Sequence, residues 1–133
     1  MKLNSSLRNF LSFLVLGLLL IAGTSLAAQN EKAFVGDWRG AVFVGGEEIE
    51  IVCHFKLDDS GHLTGTIDSP SQEAFDMALA DIEVEGKKIS FGVDDPGVPG
   101  DPLLVGTLDE TGTKISGDFS QGGGTGTFEL NKE

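Results

Sequence analysis

The stretch Glu48-Ile49-Glu50-Ile51-Val52-Cys53-His54-Phe55-Lys56-Leu57 decides the fold class. Ile49, Ile51, Cys53, Phe55 and Leu57 share one parity, while Glu48, Glu50, His54 and Lys56 share the other. Only Val52 breaks the rule. Successive side chains of a β-strand point to opposite faces, so this period of two puts one face on a core and the other in water. Parallel strands are buried on both faces and do not alternate in this way, so the strand belongs to an antiparallel sheet.

Working outward, the same grammar repeats. Trp38 to Val44 runs into Gly45-Gly46, a compact hairpin signal. Asp58-Asp59-Ser60-Gly61 closes the next hairpin, with Gly61 supplying a positive φ. Leu63, Gly65 and Ile67 form the core side of a third strand, which ends at Pro70 because proline has no N–H for the ladder. In Phe75 to Val84 the parity changes. Phe75, Met77 and Leu79 share one phase and Ile82 and Val84 the other, which predicts a strand with a register-shifting bulge. A helix is the alternative there, from the spacing of Phe75, Leu79 and Ile82. Lys88–Val93, Leu103–Leu108, Lys114–Ser120 and Thr125–Asn131 complete the set, with a loop dense in Asp, Pro and Gly at Asp94–Pro102. The expectation is an all-β fold, an antiparallel meander of eight strands closing into a barrel, with a two-sheet sandwich as the alternative. The predicted inward set is Trp38, Ile49, Ile51, Phe55, Leu63, Ile67, Ile89, Phe91, Val105, Ile115, Phe119 and Phe128.

The first residues read as an export signal. Lys2 and Arg8 precede an apolar run from Phe10 to Ala22, and Ser25-Leu26-Ala27 sets small residues at a signal-peptidase spacing. The apolar run is too short for a comfortable membrane span, so cleavage after Ala27 is expected rather than retention as an anchor. Residues 1–27 are thus a signal peptide and 28–133 one domain, working outside the cytoplasm, periplasmic or secreted, with no stable membrane insertion after cleavage.

Charge narrows the partners. The 133-residue chain carries a formal net charge of −12. Its signal contains two cations and no acid, so the domain is more negative still. That field repels phosphate backbones and excludes nucleic acid as a partner. Cys53 is the one cysteine, so no disulfide forms within the chain; in a strand interior it reads as a small buried hydrophobe.

No constellation carries recognisable chemistry. There is no Gly-x-Ser-x-Gly elbow, and His54 and His62 fall on an outward strand position and in a turn. Cys53 and His54 point to opposite faces and cannot share a metal ion. The Asp-rich segments lack the spacing of a calcium loop and read as turns. Catalytic residues, metal ligands and cofactors are therefore all expected to be none.

Three runs together resemble a known module: Gly36-Asp37-Trp38-Arg39-Gly40, Leu63-Thr64-Gly65-Thr66-Ile67-Asp68-Ser69-Pro70-Ser71-Gln72 and Ile115-Ser116-Gly117-Asp118-Phe119-Ser120-Gln121-Gly122-Gly123. They are similar to the small β domain that stands before the catalytic domain in secreted bacterial α/β-hydrolases and related serine hydrolases. The resemblance covers nearly all of residues 28–133, and Asp94–Pro102 departs from it in being acidic and proline-rich. It implies a lipocalin-like barrel, export and no hydrolytic activity, since that family's catalytic residues lie outside this domain. The expected role is a non-catalytic interaction or accessory module for a protein or envelope component. The alternative is a lipocalin-like carrier of a small apolar ligand, bound in the barrel interior by Trp38, Phe55, Phe91 and Phe119. An unrecognised hydrolytic enzyme is the weakest reading.

Overall fold

A computed structural model describes residues 30–133. The segment read as a signal peptide, 1–27, lies outside the described residues. The chain is a closed barrel of eight antiparallel strands in sequential order. They are β1 (Gly36–Val44), β2 (Glu47–Leu57), β3 (Leu63–Ser69), β4 (Ala74–Glu85), β5 (Lys88–Asp94), β6 (Leu103–Leu108), β7 (Lys114–Gln121) and β8 (Gly124–Lys132). Closure comes from β1 pairing with β8, from Trp38 opposite Lys132 to Val44 opposite Gly126. With every edge paired, the barrel leaves no open strand to template aggregation. Closure also excludes the two-sheet sandwich.

The turns form where side chains can satisfy free backbone amides. Asp58 Oδ1 accepts from the amides of Ser60 and His62, each at 2.9 Å. Asp109 does the same at the β6–β7 turn, accepting from Thr113 N at 3.0 Å and from the Thr111 hydroxyl. These bonds hold the Asp109 carboxyl below its usual range. Gly61 and Gly112 take the positive-φ positions that close the two turns.

The alternation in β2 is realised as read: Ile51, Cys53 and Phe55 are buried within, and Glu48, Glu50 and Lys56 are exposed. β4 carries the expected bulge, where the register with β5 shifts between Ala80 and Glu83 and Asp81 has φ 51°. Leu79 before it and Ile82 and Val84 after it all pack against the core. A second bulge leaves no mark in the parity of the sequence. The β3–β4 register shifts between Ile67 and Ser69, with Asp76 at φ 56°. The extra residue throws Phe75 onto the outer wall, 58% exposed, so it does not share the face of Met77 and Leu79.

One inward assignment is corrected. Val105 faces outward, and Leu104 and Leu108 are the buried apolar residues of β6. In the run Leu103-Leu104-Val105 every residue is apolar, so composition could not fix the parity. The outer wall carries Arg39, Glu48, Glu50, Lys56 and Asp118 around an apolar interior. That is the reverse of a membrane-spanning barrel, which turns its apolar face outward.

Candidate functional site

The two ends of the barrel differ. At one end lie the chain entry and the β2–β3, β4–β5 and β6–β7 turns; at the other lie the β1–β2, β3–β4, β5–β6 and β7–β8 connections. The first end is closed. A helical turn at 30–32 leads to Phe34, which is fully buried and accepts a 2.9 Å hydrogen bond at its carbonyl from Trp38 Nε1. Burying an indole requires a partner for its N–H, and the backbone of the plug supplies it. Above the plug, Phe55 meets Phe91 edge to face with centroids 5.5 Å apart, and Phe91 meets Phe128 at 6.3 Å. Ile89, Ile115 and Leu130 belong to the same core and are fully buried or nearly so.

The second end is not filled. A partly enclosed cavity of about 440 Å³ opens there. One side is Val42 from β1, Ile49 and Ile51 from β2 and Ile67 from β3. The opposite side is Met77, Val93, Leu104 and Phe119 from β4 to β7. No charged residue lines this cup; Ser69, Gln72 and Gln121 are its polar side chains. Its volume sits at the lower end of small-molecule sites, and its lining has their usual character of many apolar groups and few polar ones.

The β5–β6 loop forms part of the rim through Gly97, Val98, Pro99 and Pro102. It is tied down at three points. Asp95 Oδ1 accepts from Gly97 N at 2.8 Å, Gln121 Nε2 donates to the Pro99 carbonyl at 2.7 Å, and Gly122 N donates to the Gly100 carbonyl at 2.8 Å. The acidic, proline-rich segment Asp94–Pro102 is thus an ordered part of the mouth. Other depressions among the described residues lie on the outer wall and are more open, one of them beside Arg39 and Glu50.

Of the four residues expected from sequence as ligand contacts, Phe119 lines the cup. Trp38, Phe55 and Phe91 are in the buried core of the closed half and do not line it. Parity identifies Ile49, Ile51 and Ile67 of the cup as inward and misses Leu104, and nothing in parity says which end of a strand stays unfilled.

A second cluster lies on the outer wall of β1 to β3. His54 Nδ1 is 2.6 Å from Asp37 Oδ1, and its Nε2 is 3.0 Å from Asp68 Oδ2. Asp68 uses its other oxygen to accept from the amide of Asp76, at the bulge, at 2.8 Å. The Asp37 hydrogen bond first, and that of Asp68 second, hold the His54 pKa above its ordinary value. The Asp76 amide is the main reason the Asp68 carboxyl sits below its own. With both ring nitrogens facing carboxylates, the imidazole clamps three strands and the bulge and has no nitrogen turned toward a hydroxyl. Sequence reading placed His54 outward but could not pair it, because pairing needs the β1–β2 and β2–β3 registers.

Cys53 is fully buried and unpaired, and burial pushes its thiol far above the usual range. Such a thiol has almost no thiolate and little reactivity. Among the described residues no group of three His, Cys, Asp or Glu side chains is placed to share a metal ion. The sequence matches no protein-family profile, and comparison with curated proteins and with solved structures returns no match.

Proposed function

We propose that this chain is an exported, non-catalytic binding protein that holds a small apolar ligand in the cup at the open end of its barrel. One observation carries the reading: half of the lumen is packed to near-zero exposure, and the other half is an apolar cavity of about 440 Å³. A barrel of eight strands is just wide enough to fill itself with side chains or to hold one small ligand, and this one divides the two tasks between its ends. The signal-like segment at 1–27 supports action outside the cytoplasm.

The test is titration with a neutral apolar fluorophore such as N-phenyl-1-naphthylamine. Saturable one-to-one binding is expected in the wild type. Ala74 lines the cup as a small side chain, so Ala74→Phe fills it from the rim. The variant should keep its β circular dichroism and thermal midpoint and lose at least about tenfold in affinity, the equivalent of one filled methylene pocket or more. Undiminished binding by a folded Ala74→Phe protein would refute the reading.

A second reading, an accessory module docking on a protein, is favoured by three exposed large apolar residues: Phe43, Phe75 and Leu103 at 42%, 58% and 44%. All three lie toward the cup end. They stand on β1, β4 and β6, however, so no single face of the barrel gathers them. A photo-crosslinker at position 75 should label a partner if this reading holds, and Phe43→Ser with Leu103→Ser should weaken that labelling.

A further inference from the structure

We infer that the occupant of the cup is an amphiphile with a cationic head, an amine or quaternary ammonium on an apolar body. This rests on the cup being the binding site. Three observations combine.

The first is what the walls exclude. No charged residue lines the cavity, and an ion moved into such surroundings without a partner loses its hydration at large cost. Any charged part of a ligand therefore stays at the mouth, and the mouth decides its sign.

The second is the distribution of charge along the barrel axis. Every described lysine sits at the closed end: Lys32 before β1, Lys56 ending β2, Lys87 and Lys88 at the β4–β5 turn, Lys114 opening β7 and Lys132 closing β8. His62 is in the β2–β3 turn at that same end. The one described arginine, Arg39, lies on the outer wall and is bonded to Glu50 and Glu133 at 3.4 and 2.9 Å. Acids stand at both ends. At the closed end Asp58, Asp59, Glu85, Asp109 and Glu110 share the turns with the lysines, whereas the cup end carries Glu47 after the first turn, Glu73 before β4, and Asp94, Asp95 and Asp101 around the rim loop. Among the described residues, none of its loops holds a cation. Loops that carry charge of one sign around a low-dielectric cavity bias its field, here in favour of positive heads.

The third is the hydrogen-bond chemistry of the rim. The Ser69 hydroxyl already donates to the Glu50 carbonyl at 3.1 Å, and the Gln121 amide nitrogen to the Pro99 carbonyl. Two of the three polar side chains of the cup thus have a donor engaged. The loops around the mouth add acceptors, the carboxylates of Asp94, Asp95 and Asp101 among them. That suits N–H donors and cations, whereas a carboxylate or phosphate head would find no counter-charge there and only the Gln72 amide and the second N–H of Gln121 as side-chain donors.

The experiment uses three ligands with one ten-carbon tail: decyltrimethylammonium, decanol and decanoate, each below its critical micelle concentration. Each is titrated at neutral pH by calorimetry and by displacement of N-phenyl-1-naphthylamine. The ammonium should bind about tenfold or more tighter than the carboxylate at low ionic strength, with the alcohol between them. High salt should compress the spread. So should the triple variant Asp94→Asn, Asp95→Asn, Asp101→Asn, in which the amide oxygen introduced at position 95 retains the acceptor that Gly97 N uses. Decanoate binding as tightly as the ammonium at low salt would overturn the head-group inference and leave the cup reading standing. Failure of all three to bind while N-phenyl-1-naphthylamine still binds would overturn the head-group inference alone, and failure of the probe as well would overturn both. Undiminished ammonium binding by Ala74→Phe would place the cation on the acidic surface outside the cup, and that too overturns the inference.

Discussion

Gly106 and Gly117 stand directly opposite each other across β6 and β7, with no room for a side chain at either position. A Cβ at Gly117 would lie 2.0 Å from the Val105 carbonyl oxygen, and one at Gly106 would lie 2.7 Å from the tip of the Phe128 ring. Both positions have inward parity, so the missing side chains let the wall curve sharply and the Phe128 ring lie against it. Gly117→Ala collides with backbone, which can yield only by moving a strand. We expect it to cost about 1–3 kcal/mol, seen as a lowered midpoint in urea and a thermal midpoint several degrees down. A Gly117→Ala protein as stable as the wild type would show that curvature at this pair is not constrained.

The plug at the closed end makes a different demand. Phe34 is wholly buried, and its carbonyl is the partner of the Trp38 indole. Phe34→Ala removes the ring and opens a cavity beside the one tryptophan in the chain. A loss of about 3–5 kcal/mol is expected in equilibrium unfolding, with native fluorescence shifted to longer wavelength as water reaches the indole. Cup binding should persist in the fraction that remains folded, because Phe34 and the cup lie at opposite ends.

Much of this fold can be read along the chain, and the failures have physical causes. The β2 alternation, the Asp-x-Ser/Thr-Gly turns and the parity change between Leu79 and Ile82 are local, so they survive without knowledge of neighbours. Phe75 misleads because a second bulge, held by Asp68 on the adjacent strand, cancels the local phase. Val105 misleads because its neighbours are as apolar as it is. Phe34 precedes any strand period and so gives no signal. The cup is hidden for a deeper reason: parity says which residues face the lumen, whereas occupancy depends on how eight strands stagger around it. The acids of the rim are plain in the sequence, but their separation from the lysines emerges only when alternate turns go to opposite ends.

Cys53 offers a clean check of the closed half. Its side chain is fully buried and its thiol is held protonated by desolvation, with the Asp68 charge a smaller contribution in the same direction. A thiol reagent added to native protein at pH 8 should leave it unmodified for as long as the barrel stays folded, and should titrate one thiol in denaturant. Rapid labelling of the native state would mean that β2 opens locally far below the global unfolding free energy.

The His54 clamp should give the barrel a pH dependence whose sign is fixed by its partners. His54 has a folded pKa above its ordinary 6.5, so its contribution is complete below about 6.5 and is lost as pH rises through the raised folded value. Asp68 is held below its ordinary 3.8, so its contribution is complete above about 3.8 and is lost as pH falls through the lowered folded value. The two windows overlap between those ordinary values, where an imidazolium lies between two carboxylates. His54→Gln keeps a hydrogen-bonding side chain and removes the titration. The thermal midpoint of wild type minus that of His54→Gln should be largest near pH 5 and shrink steadily above pH 7. The side chain is 40% exposed, so solvent screening keeps the difference modest and added salt should reduce it. A midpoint difference that is flat from pH 5 to 9 would mean the clamp holds β1, β2 and β3 by packing alone, with its charge contributing nothing.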